Sequence, residues 1–163
     1  LNDKLSWHQH IQTQFRKAST RLFFISQLKR TKMSADNMVK VYTSLVRPLT
    51  EYACQVWHSS LTGEQTDLIE SIQERALRMI YPDLPYDEAC QTAGLPTLQL
   101  RRDDLCKRLF EDCQHPDHKL YNLLPPERNV SYGHRNRSKY PLPKVKTERY
   151  KSSFLPYRLF NFN

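Results

Sequence analysis

One stretch, Ser34–His58 (SADNMVKVYTSLVRPLTEYACQVWH), constrains this chain more than any other. Met38, Val41, Tyr42, Leu45, Val46, Leu49, Tyr52, Ala53, Val56 and Trp57 recur three and four residues apart. That spacing predicts a helix with one apolar stripe along it. Ser34 is a favoured N-cap, and Asp36 suits the positive end of the helix. Pro48 offers no N–H to the Ser44 carbonyl and disfavours helical geometry at Arg47. The helix is therefore expected to kink there, or to stop and restart with Pro48 in a first turn. Trp57 ends the stripe and is expected to be buried at the centre of a core.

The flanking segments repeat the helical period. Trp7, Ile11, Phe15, Ala18, Leu22 and Ile25 predict a helix over Trp7–Lys29, opened by a capping box of Ser6 and Gln9. Its far face carries Arg16, Lys17, Arg21, Lys29 and Arg30. Thr62 and Gln65 form a second possible capping box before Leu68, Ile69, Ile72, Ala76, Leu77 and Ile80. Tyr86–Ala93 reads as one or two helical turns closed by Gly94. Thr97 caps a further helix with Leu98, Leu105, Leu109, Phe110 and Cys113 inward, and Asp117–Leu124 suggests a short last one. The expected fold is all-α: a bundle of about four to six helices over residues 1–124. With 3 glycines against 10 prolines, a turn-dense β fold is disfavoured.

At Pro125-Pro126 the helical period ends. Residues 125–163 read as an extended, loosely packed, basic tail holding prolines and scattered aromatics. The charge is uneven. Residues 1–33 carry +6, residues 34–124 carry −5 and residues 125–163 carry +7, within a net +8. Basic ends around an acidic middle point to a polyanion partner. In the tail, Arg135, Arg137, Lys139, Lys144, Lys146, Arg149 and Lys151 are interleaved with Tyr132, Tyr140 and Tyr150. Lys and Arg neutralise phosphates while aromatic rings stack on bases, so Arg16, Lys17, Arg21, the seven tail cations, Tyr140 and Tyr150 are the candidate nucleic-acid contacts. Binding and folding are then expected to separate near Leu124.

Catalytic chemistry finds no such support. There is no G-x-S-x-G, no phosphate-binding glycine loop and no H-E-x-x-H. Asp103 and Asp104 are adjacent and would point about 100° apart on a helix, a poor metal clamp. Cys106, Cys113, His115 and His118 have the spacing C-x6-C-x-H-x2-H, which fits no common zinc site. No catalytic residue, metal or cofactor is expected. Cys54, Cys90, Cys106 and Cys113 read as reduced thiols. No apolar run nears the ~18 residues of a membrane span, so no membrane partner is expected. Leu1 is not a methionine and a helix follows almost at once, which suggests a piece of a longer polypeptide.

Several motifs, taken in order, resemble the region after the last palm strand of non-LTR retrotransposon (LINE-type, jockey/CR1-like) reverse transcriptases. They are Leu5–Ile11 with Lys17-Ala18 and Arg21-Leu22, then Val41-Tyr42 with Arg47–Trp57, then Ile72–Arg78. Gly94–Leu98 with Arg101-Arg102, and Phe154-Leu155-Pro156 with Arg158–Asn161, complete the set. The resemblance implies the thumb and post-thumb part of an RNA-directed DNA polymerase, with the family's catalytic aspartates lying upstream. It implies a non-catalytic fragment gripping an RNA template or RNA–DNA hybrid beside the palm and fingers of the same polypeptide. It further implies an intracellular parent, in nucleus and cytoplasm. The end departs from the pattern, with Phe160 where relatives carry tryptophan, and no zinc knuckle is present. The rival expectation is a helical protein-interaction module with a solubilising basic tail.

Overall fold

A computed structural model of the chain describes residues 6–128 and 139–162. Among them the regular elements are helical and no strand occurs, so the fold is all-α. It is a bundle of about seven helices, plus single turns at α4 and α8. In order they are α1 (His8–Arg30), α2 (Ala35–Val41), a π-helical turn (Tyr42–Val46), α3 (Arg47–Glu51), α4 (Cys54–Trp57) and α5 (Gly63–Ile80). There follow α6 (Tyr86–Ala93), α7 (Leu98–Cys113), a 3-10 turn (Tyr121–Leu123), α8 (Glu148–Lys151) and α9 (Phe154–Phe162). The chain divides into two compact units. The first holds the residues up to Cys54 together with Leu61–Arg102, and the second holds Gln55–Ser60 together with Asp103 onward.

In the first unit α1 lies along α5. Ala18, Leu22 and Ile25 meet Ile72, Ala76, Leu77 and Ile80, and Met38, Tyr42, Val46, Ala89 and Cys90 complete the core. The predicted capping box at Thr62 and Gln65 forms in both directions. The one predicted at Ser6 does not, and the Ser6 hydroxyl instead accepts the His8 N–H at 3.2 Å. At its other end α1 closes with a Schellman pair, in which the Met33 N–H reaches the Leu28 carbonyl and the Lys32 N–H reaches that of Lys29. Lys32 holds the left-handed position of that motif at φ 58°, where glycine is the unstrained residue. Lys32→Gly is therefore expected to raise stability by about 0.5–1 kcal/mol. A lower urea midpoint for this variant would contradict the strain.

The π-helical turn resolves the problem posed by Pro48. The Arg47 N–H bonds the Tyr42 carbonyl, five residues back rather than four. This wider turn carries the chain past the proline ring, which sits in the first turn of α3. The Leu45 carbonyl accepts the Arg21 guanidinium at 2.7 Å. The wide turn also changes which residues face inward. Met38, Tyr42, Val46, Thr50 and Cys54 are buried, each four after the last. In a regular helix that spacing would drift about 40° per step; the wide turn offsets the drift as far as Thr50, and a break at Tyr52-Ala53, with Ala53 left-handed at φ 52°, re-aims the chain before Cys54. Leu45, Tyr52 and Val56, which the period of 3.6 placed on the stripe, are 43%, 66% and 56% exposed. Trp57 is buried, as its place at the stripe's end predicted.

A buried polar network ties the first unit together. Gln73, fully buried, accepts the Tyr42 hydroxyl at 2.9 Å. Its amide nitrogen donates to the Tyr86 hydroxyl at 3.1 Å and the Pro96 carbonyl at 2.8 Å. Tyr86 donates to the Glu70 carboxylate. Glu70 then accepts the Leu98 and Gln99 N–H groups at 2.9 and 3.0 Å, placing an anion on the N-terminus of α7. Thr97 adds the predicted cap, accepting the Leu100 N–H at 3.2 Å. Burial raises the pKa of both phenols, and the hydrogen bond to Glu70 raises that of Tyr86 further, so both remain donors.

The second unit corrects the expectation of an extended tail. Residues 148–151 and 154–162 are helical. Tyr140 and Leu159 pack on Phe110 of α7, with Leu124, Phe154 and Leu155 around them. Arg158, fully buried, pairs with Asp103 at 2.9 Å. The His58 Nε2 lies 3.5 Å from the same carboxylate, and the Ser59 and Ser60 hydroxyls donate to the Ser152 carbonyl at 2.7 and 3.0 Å. The helical period is hidden in α9 because the helix is short, holds Pro156 in its first turn and turns a charged residue inward.

Candidate nucleic-acid interface

The predicted contacts fall into two groups, one in each unit. On α1, Arg16 and Lys17 are exposed, as the amphipathic period requires once Ile11, Ala18, Leu22 and Ile25 face the core. Arg21 is exposed too, but its guanidinium holds the Leu45 carbonyl. It is thus partly structural, with further N–H groups left to face outward. Lys29 and Arg30 are exposed in the last turn, Lys29 in line with Leu22 and Ile25 rather than on the outward face, which corrects its expected place there.

The same face carries two residues that the sequence reading passed over. Phe23 and Phe24 are 60% and 52% exposed, with ring centroids 6.3 Å apart. Positions 16, 20 and 23 form one outward row of the helix, and 17, 21 and 24 form the next. The first row joins Arg16 to Phe23, and the second joins Lys17 and Arg21 to Phe24. The signal was present in the sequence. Neither residue belongs to the buried stripe, and adjacent residues 100° apart cannot both enter a narrow one. On α5, the exposed Arg75 reaches the Ser19 hydroxyl at 3.2 Å and adds a further cation beside α1.

The tail group is changed more. Tyr140 is 2% exposed and belongs to the core of the second unit, which corrects its place as a stacking platform. Lys139 pairs with Glu127 at 3.0 Å, and that hydrogen bond is the main reason its pKa is raised. Lys144, Lys146, Arg149 and Lys151 are exposed, and Tyr150 is 48% exposed beside them. Arg135 and Arg137, with Tyr132, lie outside the described residues.

Cys106 and Cys113 are buried on α7, and the His118 Nδ1 accepts the Leu120 N–H. Among the described residues no group of three His, Cys, Asp or Glu side chains is gathered for a metal ion. Burial raises the pKa of the Cys90 and Cys113 thiols, which keeps them protonated and poorly nucleophilic. Among the described residues no helix is long and apolar enough to cross a membrane.

No family model, no curated protein and no solved structure matches this chain. That finding corrects the labels reverse transcriptase, retrotransposon, thumb and RNA binding expected from the motifs. Of that set, the all-α fold is what stands.

Proposed function

We propose that this chain is a non-catalytic helical module that grips a nucleic acid by its phosphate backbone. The observation that carries the reading is the outward face of α1, where Arg16 and Lys17 stand beside the exposed Phe23 and Phe24. Cations over phosphates and rings over bases are the two parts of sequence-independent strand binding. The +6 charge of residues 1–33 supports it. Exposed rings beside the cations favour nucleic acid among polyanions, since bases offer faces to stack on. The rival reading, a protein-interaction module, draws on the same exposed phenylalanines together with Leu45, Tyr52 and Val56.

The two readings differ in their dependence on salt. Arg16→Ala with Lys17→Ala is expected to weaken binding to a single-stranded oligonucleotide. It should also flatten the slope of log K against log salt by about 1.4, since each lost phosphate contact removes about 0.7. Phe23→Ala with Phe24→Ala should weaken binding by about 1–3 kcal/mol per stacked base with the slope unchanged. Both double variants replace exposed side chains, so melting temperatures should hold. Oligonucleotide affinity that ignores both salt and these substitutions would sink the reading.

A further inference from the structure

The second unit holds a groove of about 600 Å³, a size common for ligand sites. Leu123, Leu142, Tyr150 and Phe154 line it, with prolines 141 and 143. Its surface is mostly apolar. Among its lining side chains only those of Tyr150 and Ser153 carry polar atoms, and the Ser153 hydroxyl already donates to the Tyr150 carbonyl at 2.7 Å. Leu123 and Leu142 are 63% and 42% exposed, so the wall is open to solvent.

The charge in the segments that line the groove is mainly positive. Lys144 follows Pro143, and Arg149 and Lys151 flank Tyr150; these cations and Lys146 are all exposed. The one acid between 139 and 151 is Glu148, which faces Lys151 at 3.9 Å. An apolar trough beside cations suits a chain that brings both bulky apolar side chains and carboxylates. A nucleobase suits it less, because the hydrogen-bonding groups on its edge would be buried without partners, each at a cost of about 1–3 kcal/mol.

We propose that this groove docks an acidic peptide segment of a partner protein, seating leucine- or phenylalanine-type side chains in the trough and carboxylates on Lys144, Lys146, Arg149 and Lys151. Apolar burial supplies the affinity, and the cations fix orientation and speed encounter. This site is separate in chemistry from strand binding by α1.

The test uses the full chain and a labelled peptide built from Glu, Asp, Leu and Phe, read by fluorescence anisotropy. Two control probes are the same peptide with Leu and Phe replaced by Ser, and a single-stranded oligo-dT. The wild-type chain should bind the first peptide and fail to hold the serine version. Leu123→Gln with Leu142→Gln changes two exposed residues without adding charge, and should leave the melting temperature in place. It should weaken the acidic peptide about tenfold or more and leave oligo-dT unchanged. Equal binding of the serine peptide would reduce the site to charge alone and overturn the proposal, as would no binding of either peptide. Loss of oligo-dT rather than of peptide affinity would assign the groove to bases and overturn it too. The peptide outcomes do not depend on whether α1 binds nucleic acid.

Discussion

A chain cut after Leu124 is expected to lose the folded second unit, not merely a basic appendage. The cut removes Tyr140, Phe154, Leu155 and Leu159 from around Phe110. It removes Arg158 from Asp103 and the Ser152 carbonyl from Ser59 and Ser60. Each large apolar side chain returned to water costs about 1.5–3 kcal/mol, so the loss is on the order of 5–10 kcal/mol. That is comparable with the whole stability of a small domain. Amide exchange at Phe110 and Cys113 should rise from protected to fast in the truncated chain. Unchanged protection there would mean that residues 139–162 contribute nothing to the core. The separation of folding from binding at Leu124, which composition suggested, is therefore not expected. An assay on such a truncation would confuse lost contacts with lost structure.

Trp57→Ala is expected to cost about 3–5 kcal/mol, the range for removing a large aromatic from a core. Trp57 is 1% exposed, at the end of α4. The chain has 2 tryptophans, so a Trp7→Phe background isolates the fluorescence of Trp57. Its emission should then be blue-shifted in the native state and move to the red on unfolding. A denaturant melt showing a loss below about 1 kcal/mol would place Trp57 at the surface.

Where local rules act alone, the sequence was read well. The stripe of α1, the Thr62–Gln65 capping box, the Gly94 end of α6 and the Thr97 cap each depend on residues within one turn. They appear where their spacing places them. The misreadings come from residues that act at a distance. Nothing near Leu98 indicates that Glu70, 28 positions earlier, caps its helix. Nothing near Arg158 indicates that Asp103 will receive it inside the protein. A buried arginine looks like a surface residue in any apolar count, and so α9 was read as extended chain. The candidate interface shows the same division. Arg16 and Lys17 follow from the helical period alone. Tyr140 was misplaced because an isolated tyrosine in a polar stretch carries no sign of the phenylalanine it will cover. Phe23 and Phe24 lie on the complement of the buried stripe, where the apolar period carries no signal.

The wide turn at Tyr42–Val46 has a consequence for insertions and deletions. It holds one residue more than a regular helix would need between the same flanks. Take that residue out, and one step of four between the buried Met38, Tyr42, Val46 and Thr50 becomes a step of three, which restores the four-and-three alternation of a plain amphipathic helix across the turn. A homologous chain shorter by one residue here can keep the same inward face on both sides of the gap. The same loss inside α1 or α5 would swing everything downstream in the helix by about 100° and turn its core residues outward. When this sequence is aligned with another, a one-residue gap in the region of Pro48 therefore belongs within Tyr42–Val46.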